Sequence, residues 1–127
     1  MTRASDLAKL IGAGATINDG TTITTDDNTA QLTLVSTDAD ASTGPLLVLN
    51  RDSASAADGD VLGVLQFKGD DDAGNNRSYV QVQTKINDAS NSTLDGEMEI
   101  LTLVGDNSRS RIELLPSETV FNKDSVD

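Results

Sequence analysis

The sequence predicts an all-β domain, an antiparallel β-sandwich or jelly-roll-like fold with a short N-terminal helix. Three observations carry that expectation. From Ile17 onward, apolar residues recur in short runs with the alternation of a half-buried strand. Clusters of Gly, Asn, Asp and Ser separate those runs. Helical spacing occurs only ahead of Ile17, where Leu7, Leu10 and Ile11 fall at i, i+3 and i+4.

That helix is expected to be about two turns long. Ser5 suits its N-cap, Asp6 its first turn, and Gly12 and Gly14 stop it. A helix so short does not persist alone in water, so its stripe must dock. Two readings stand: packing on its own domain, or an assembly handle for sister chains or a larger particle. The chain is accordingly read as an anchoring and assembly segment, residues 1–16, followed by a β-rich domain, residues 17–127.

Eight strands are expected in the β-rich part: Thr21–Thr25, Gln31–Ser36, Leu46–Arg51, Val61–Lys68, Arg77–Asn87, Glu97–Val104, Arg109–Leu115 and Thr119–Asn122. Turn chemistry separates them at Asp19-Gly20, Asp26-Asp27-Asn28, Gly44-Pro45, Asp58-Gly59-Asp60, Asp95-Gly96 and Gly105-Asp106-Asn107. The clearest strand alternates Val80, Val82 and Ile86 with Gln81, Gln83 and Lys85, which predicts one buried and one wet face. In the next, Glu97, Glu99, Leu101 and Leu103 share one face and Met98, Ile100 and Val104 the other, so its far half is expected to be covered on both sides. Leu46-Leu47-Val48-Leu49 is apolar on both faces, which marks Leu47 and Leu49 as subunit contacts or as positions covered by the N-terminal segment. Gly63 lies inside a strand, where a bulge or a close neighbour is expected.

Composition narrows the function. The 127 residues contain no Cys, His or Trp, which removes zinc sites, disulfides, thiol nucleophiles and imidazole bases. Nine Lys and Arg stand against 21 Asp and Glu, for a formal net charge of -12, and the basic residues are scattered; no nucleic-acid partner is expected. No apolar stretch has the length of a membrane span, and Met1 to Ala15 lacks the unbroken apolar core of a signal peptide, so neither a membrane partner nor secretion is expected. Aromatics are 2% of the chain, and a domain of this size buries only about two-thirds of its surface alone. Self-association would complete the core, so a homo-oligomer is expected.

No residue pattern supports catalysis or a cofactor. The loop Asp70-Asp71-Asp72-Ala73-Gly74-Asn75-Asn76 offers oxygens for calcium, but counted from Asp70 the EF-hand glycine position holds Asn75 and the closing acid position holds Gln81. The loop reads either as a solvated hairpin turn or as an irregular cation site. A glycosidase needs two carboxylates, which 21 acids supply by chance, and Tyr79 alone offers a stacking platform among Tyr and Trp. A Gly-x-Ser-x-Gly elbow and a Ser-x-x-Lys pair are both absent.

One segment is familiar. Gly44-Pro45-Leu46-Leu47-Val48-Leu49-Asn50-Arg51-Asp52-Ser53 is followed by Ala57-Asp58-Gly59-Asp60-Val61-Leu62-Gly63-Val64-Leu65-Gln66-Phe67-Lys68-Gly69, then by Asp72-Ala73-Gly74, Tyr79 and Asp95-Gly96. This pattern resembles the β-rich modules of tailed-phage fibres and related virion structural proteins, as does the opening Arg3-Ala4-Ser5-Asp6-Leu7-Ala8-Lys9-Leu10. The resemblance implies a homotrimeric virion component, a tail fibre, head fibre or spike, contributing structure or host contact. Its implied partners are further copies of itself, capsid, portal, adaptor or tail proteins, and a host surface glycan. Leu7, Leu10, Ile11, Leu47 and Leu49 are the expected assembly residues. The alternatives are a capsid decoration or adaptor protein and a non-catalytic carbohydrate-binding module.

Overall fold

The computed structural model describes residues 19–122 of the chain; the expected helix with Leu7, Leu10 and Ile11 lies outside the described residues. The chain divides into two compact units between Leu46 and Leu47. All regular structure among the described residues is β-strand, and all of it falls in the second unit.

Three expected strands, Thr21–Thr25, Gln31–Ser36 and Leu46–Arg51, are not formed. Short polar side chains hold much of the region in local bonds instead. The Asp27 carboxylate accepts from the Thr29 amide at 2.9 Å and hydroxyl at 2.6 Å, and Asp40 accepts from the Ser42 amide at 2.7 Å. Bonds two residues apart compete with a ladder. Leu46 to Leu49 find no ladder partner either, and all four are exposed. Alternation prepares a strand, but a second strand must supply its hydrogen bonds.

The remaining five strands appear close to their expected limits: β1 (Val61–Asp70), β2 (Asn76–Asp88), β3 (Asp95–Val104), β4 (Asn107–Leu114) and β5 (Thr119–Phe121). They form one antiparallel sheet in sequence order, β1-β2-β3-β4-β5. The Asp95-Gly96 turn is displaced: both residues begin β3, and the chain reverses at 89–94. There the Asp88 carboxylate takes the Ser90 amide and the Thr93 hydroxyl, each at 2.8 Å. Asp58-Gly59-Asp60 is a turn as expected, and it is tied to β2 by Gly59 N–H to Ile86 O and Ile86 N–H to Asp60 O.

β3 and β4 are joined by the two-residue loop Gly105-Asp106, with φ of 54° and 63°. Positive φ at both positions is the geometry whose twist suits a tight hairpin. Gly105→Val is expected to cost about 1–2 kcal/mol, because a β-branched side chain is strained there. Denaturant titration checks it; an unchanged midpoint would mean the loop had adopted another turn.

The ladder is interrupted by register shifts between Val61 and Gly63, Phe67 and Lys68, Ile86 and Asp88, and Ile100 and Leu101. The first is the irregularity expected at Gly63. Leu49 lies over that glycine, and a Cβ there would come within 3.2 Å of Leu49 Cδ1.

Register places two cross-strand rows back to back. On one face, Leu65, Val82, Ile100, Ile112 and Phe121 are successive partners across all five strands. On the other, Val64, Gln83, Glu99, Glu113 and Val120 run parallel to them. The expected division of β3 into two faces is therefore present. Burial departs from expectation: Val80, Val82, Ile86, Leu101 and Leu103 are only half-buried. Among the described residues no apolar side chain is buried, and the three buried residues are Glu99, Ser110 and Glu113.

Candidate functional site

The polar row is built by register. Lys85 on β2 stands opposite Glu97 on β3, and Gln83 opposite Glu99, so one ammonium reaches two carboxylates two residues apart on the same face. Lys85 Nζ donates to Glu97 Oε1 at 2.8 Å and lies 2.9 Å from Glu99 Oε2. Gln83 Nε2 adds a long contact of 3.4 Å to Glu99 Oε2. Glu113 faces Glu99 from β4, and carboxylate oxygens of Glu97, Glu99 and Glu113 lie within 4.8 Å of one another.

Glu97 and Glu99 share the Lys85 ammonium in a partly dehydrated patch. The hydrogen bond to Glu97 is the largest influence on Lys85 and holds its pKa above the ordinary lysine value; partial burial opposes it, and Glu99 reinforces it. Because that value is raised on folding, the contribution is complete at neutral pH and is lost only as alkaline pH titrates the ammonium. Oxygen clustering of this kind is what a hard cation requires. Here Lys85 supplies positive charge to Glu97 and Glu99, so the row reads first as a compensated electrostatic clamp between β2 and β3.

The acidic loop that offered oxygens for calcium is organised differently. Asp71 Oδ1 accepts from the amides of Asn75 at 2.8 Å and Ala73 at 3.0 Å, while Oδ2 accepts from Arg77 Nε at 3.1 Å. Both oxygens also face the Asn75 side-chain amide. The carboxylate thus works inward, closing the β1–β2 loop in the manner of an Asx turn. The Asn75 amide is the largest cause of an Asp71 pKa lowered to about 2. A depressed folded value stabilises above the unfolded one, so this contribution is complete at neutral pH and is lost as pH falls from 3.8 toward about 2. Carbon-detected NMR titration is expected to find Asp71 ionised at pH 3; an ordinary carboxylate midpoint would contradict these bonds.

Of the expected assembly residues, Leu7, Leu10 and Ile11 lie outside the described residues. Leu47 and Leu49 are 60% and 52% exposed, in irregular chain. Arg51 follows them and pairs with Asp60 at 3.0 Å, donating also to the Val61 carbonyl at 3.1 Å. Sequence reasoning did not assemble the Lys85, Glu97, Glu99 and Glu113 cluster. Its only sign was the alternation of Glu97 with Glu99 and of Gln83 with Lys85, which becomes a site once the register is known. No family model, no curated protein and no solved structure matches the chain.

Proposed function

We propose that the chain is a structural virion component of a tailed bacteriophage, a fibre or spike subunit that assembles as a homotrimer and serves anchoring, display and host contact. The observation that supports this reading is the absence of a buried apolar side chain among the described residues, against 16 exposed large hydrophobics. A sheet with an apolar face needs a second layer over it. In this reading other copies supply the layer, and the sandwich expected from the sequence is completed between subunits. Leu47 and Leu49 then belong to contacts between chains, and Leu7, Leu10 and Ile11 to the anchor. Capsid decoration is the same reading with a different attachment point.

Particles assembled without the protein are expected to lose a fibre or spike in electron micrographs. Particles unchanged in outline would refute the assignment. Joint replacement Leu7→Asp and Leu10→Asp is expected to leave the β-sheet circular dichroism intact and to release the protein from sedimented particles; continued co-sedimentation would move the anchor elsewhere.

A further inference from the structure

Resting on the reading of the chain as a self-assembling subunit, we infer that its copies meet through one particular face, the row Leu65, Val82, Ile100, Ile112 and Phe121, which packs against the same face of the other copies around their common axis. The row crosses every strand without interruption, and Leu65 and Phe121 at its ends are 47% and 71% exposed.

Charge selects this face over its opposite. The chain carries 21 acids at a net charge of -12, so two copies repel wherever their acids approach. No Asp or Glu stands in the apolar row or in the flanking pairs Thr84 with Met98 and Val80 with Thr102. The opposite face holds Glu97, Glu99 and Glu113 at its centre. Stacking such faces would bring the Glu97, Glu99 and Glu113 carboxylates of each copy together and dehydrate them further, at a cost that apolar contact does not repay. Depletion of charge at the centre of the patch is also what marks an interface core.

Size agrees. Four strands about 4.8 Å apart sharing about six residues at about 3.4 Å each, with the short strand β5 along one edge, present a face of about 440 Å² in projection. That matches the largest apolar patch of an ordinary monomer before side-chain relief is added, and relief brings it toward the ~800 Å² per partner of a stable interface.

The chain has no cysteine, so a single introduced thiol is unique. Leu65 and Gln66 are neighbours on β1, both exposed, and point to opposite faces. A short bis-maleimide added to Leu65→Cys is expected to yield covalent dimers in most of the protein, with Gln66→Cys at background, both variants keeping the native mass of the assembly by light scattering. Equal cross-linking from the two positions, or from Gln66→Cys alone, would overturn the face assignment while leaving self-assembly intact. Cross-linking of Leu65→Cys only to lysines of its own chain by a maleimide–succinimide reagent would overturn it too, by showing that the same chain covers the row. A wild-type protein that is monomeric at micromolar concentration would overturn both this inference and the reading beneath it.

Discussion

Replacement of Lys85 by methionine is expected to destabilise the sheet by about 3 kcal/mol, the low end of the cost of removing one partner from a buried ion pair. Methionine keeps the length and apolar stem of lysine, so the change isolates the charge. Without it, Glu97, Glu99 and Glu113 face one another within 4.8 Å, and Glu99 and Glu113 are buried. The low end is appropriate because the Lys85 side chain retains 23% exposure and solvent screens part of the loss. Denaturant titration at fixed protein concentration measures the effect. The deficit is expected to shrink when Glu97→Gln and Glu99→Gln are added, because the substitutions remove the charges that Lys85 faces. A variant as stable as wild type at pH 7 would show that water already screens the three carboxylates.

Thermal stability is expected to depend strongly on protein concentration. If the apolar row is covered only when copies meet, folding and association are coupled, and raising the free concentration from the dissociation constant to 100 times that value adds about 2.3 kcal/mol per association step. For a domain of this size that corresponds to a shift on the order of 10 °C in Tm. Differential scanning fluorimetry across a hundredfold dilution series checks it. A concentration-independent Tm would mean that one chain buries enough apolar surface by itself, and the explanation of the exposed side chains would then have to lie within the chain.

The two predictions draw on different faces of one sheet, and the sequence made those faces unequally legible. Alternation separated Val82 from Lys85 within β2 and Ile100 from Glu97 and Glu99 within β3, because side-chain direction in a strand follows directly from position. Pairing register is not local. That Lys85 stands opposite Glu97, and Glu99 opposite Glu113, depends on where the 89–94 and 105–106 reversals fall, and the first lies just before the turn expected at Asp95-Gly96.

The expected strands before Arg51 failed for a related reason. Leu32, Leu34 and Val35 have strand-like spacing and remain exposed, because periodicity says which residues would share a face and nothing about what they would face. Sequence reasoning also treated the acidic loop as a choice between cation ligands and solvated charge. The segment is the hairpin turn between β1 and β2, and its Asp71 carboxylate is satisfied by Asn75 and Ala73 in the loop and by Arg77 at the start of β2.

The four register interruptions bear on the shape an assembly can take. Each inserts an extra residue on one strand and increases the local right-handed twist. Flat sheets stack without limit, which is how cross-β fibrils grow. Sheets with extra local twist at four places would mate over a more restricted area than flat ones. If copies do meet on the half-exposed apolar row, bulges scattered through the ladder would act as a geometric brake, favouring a small closed cluster over an endless stack.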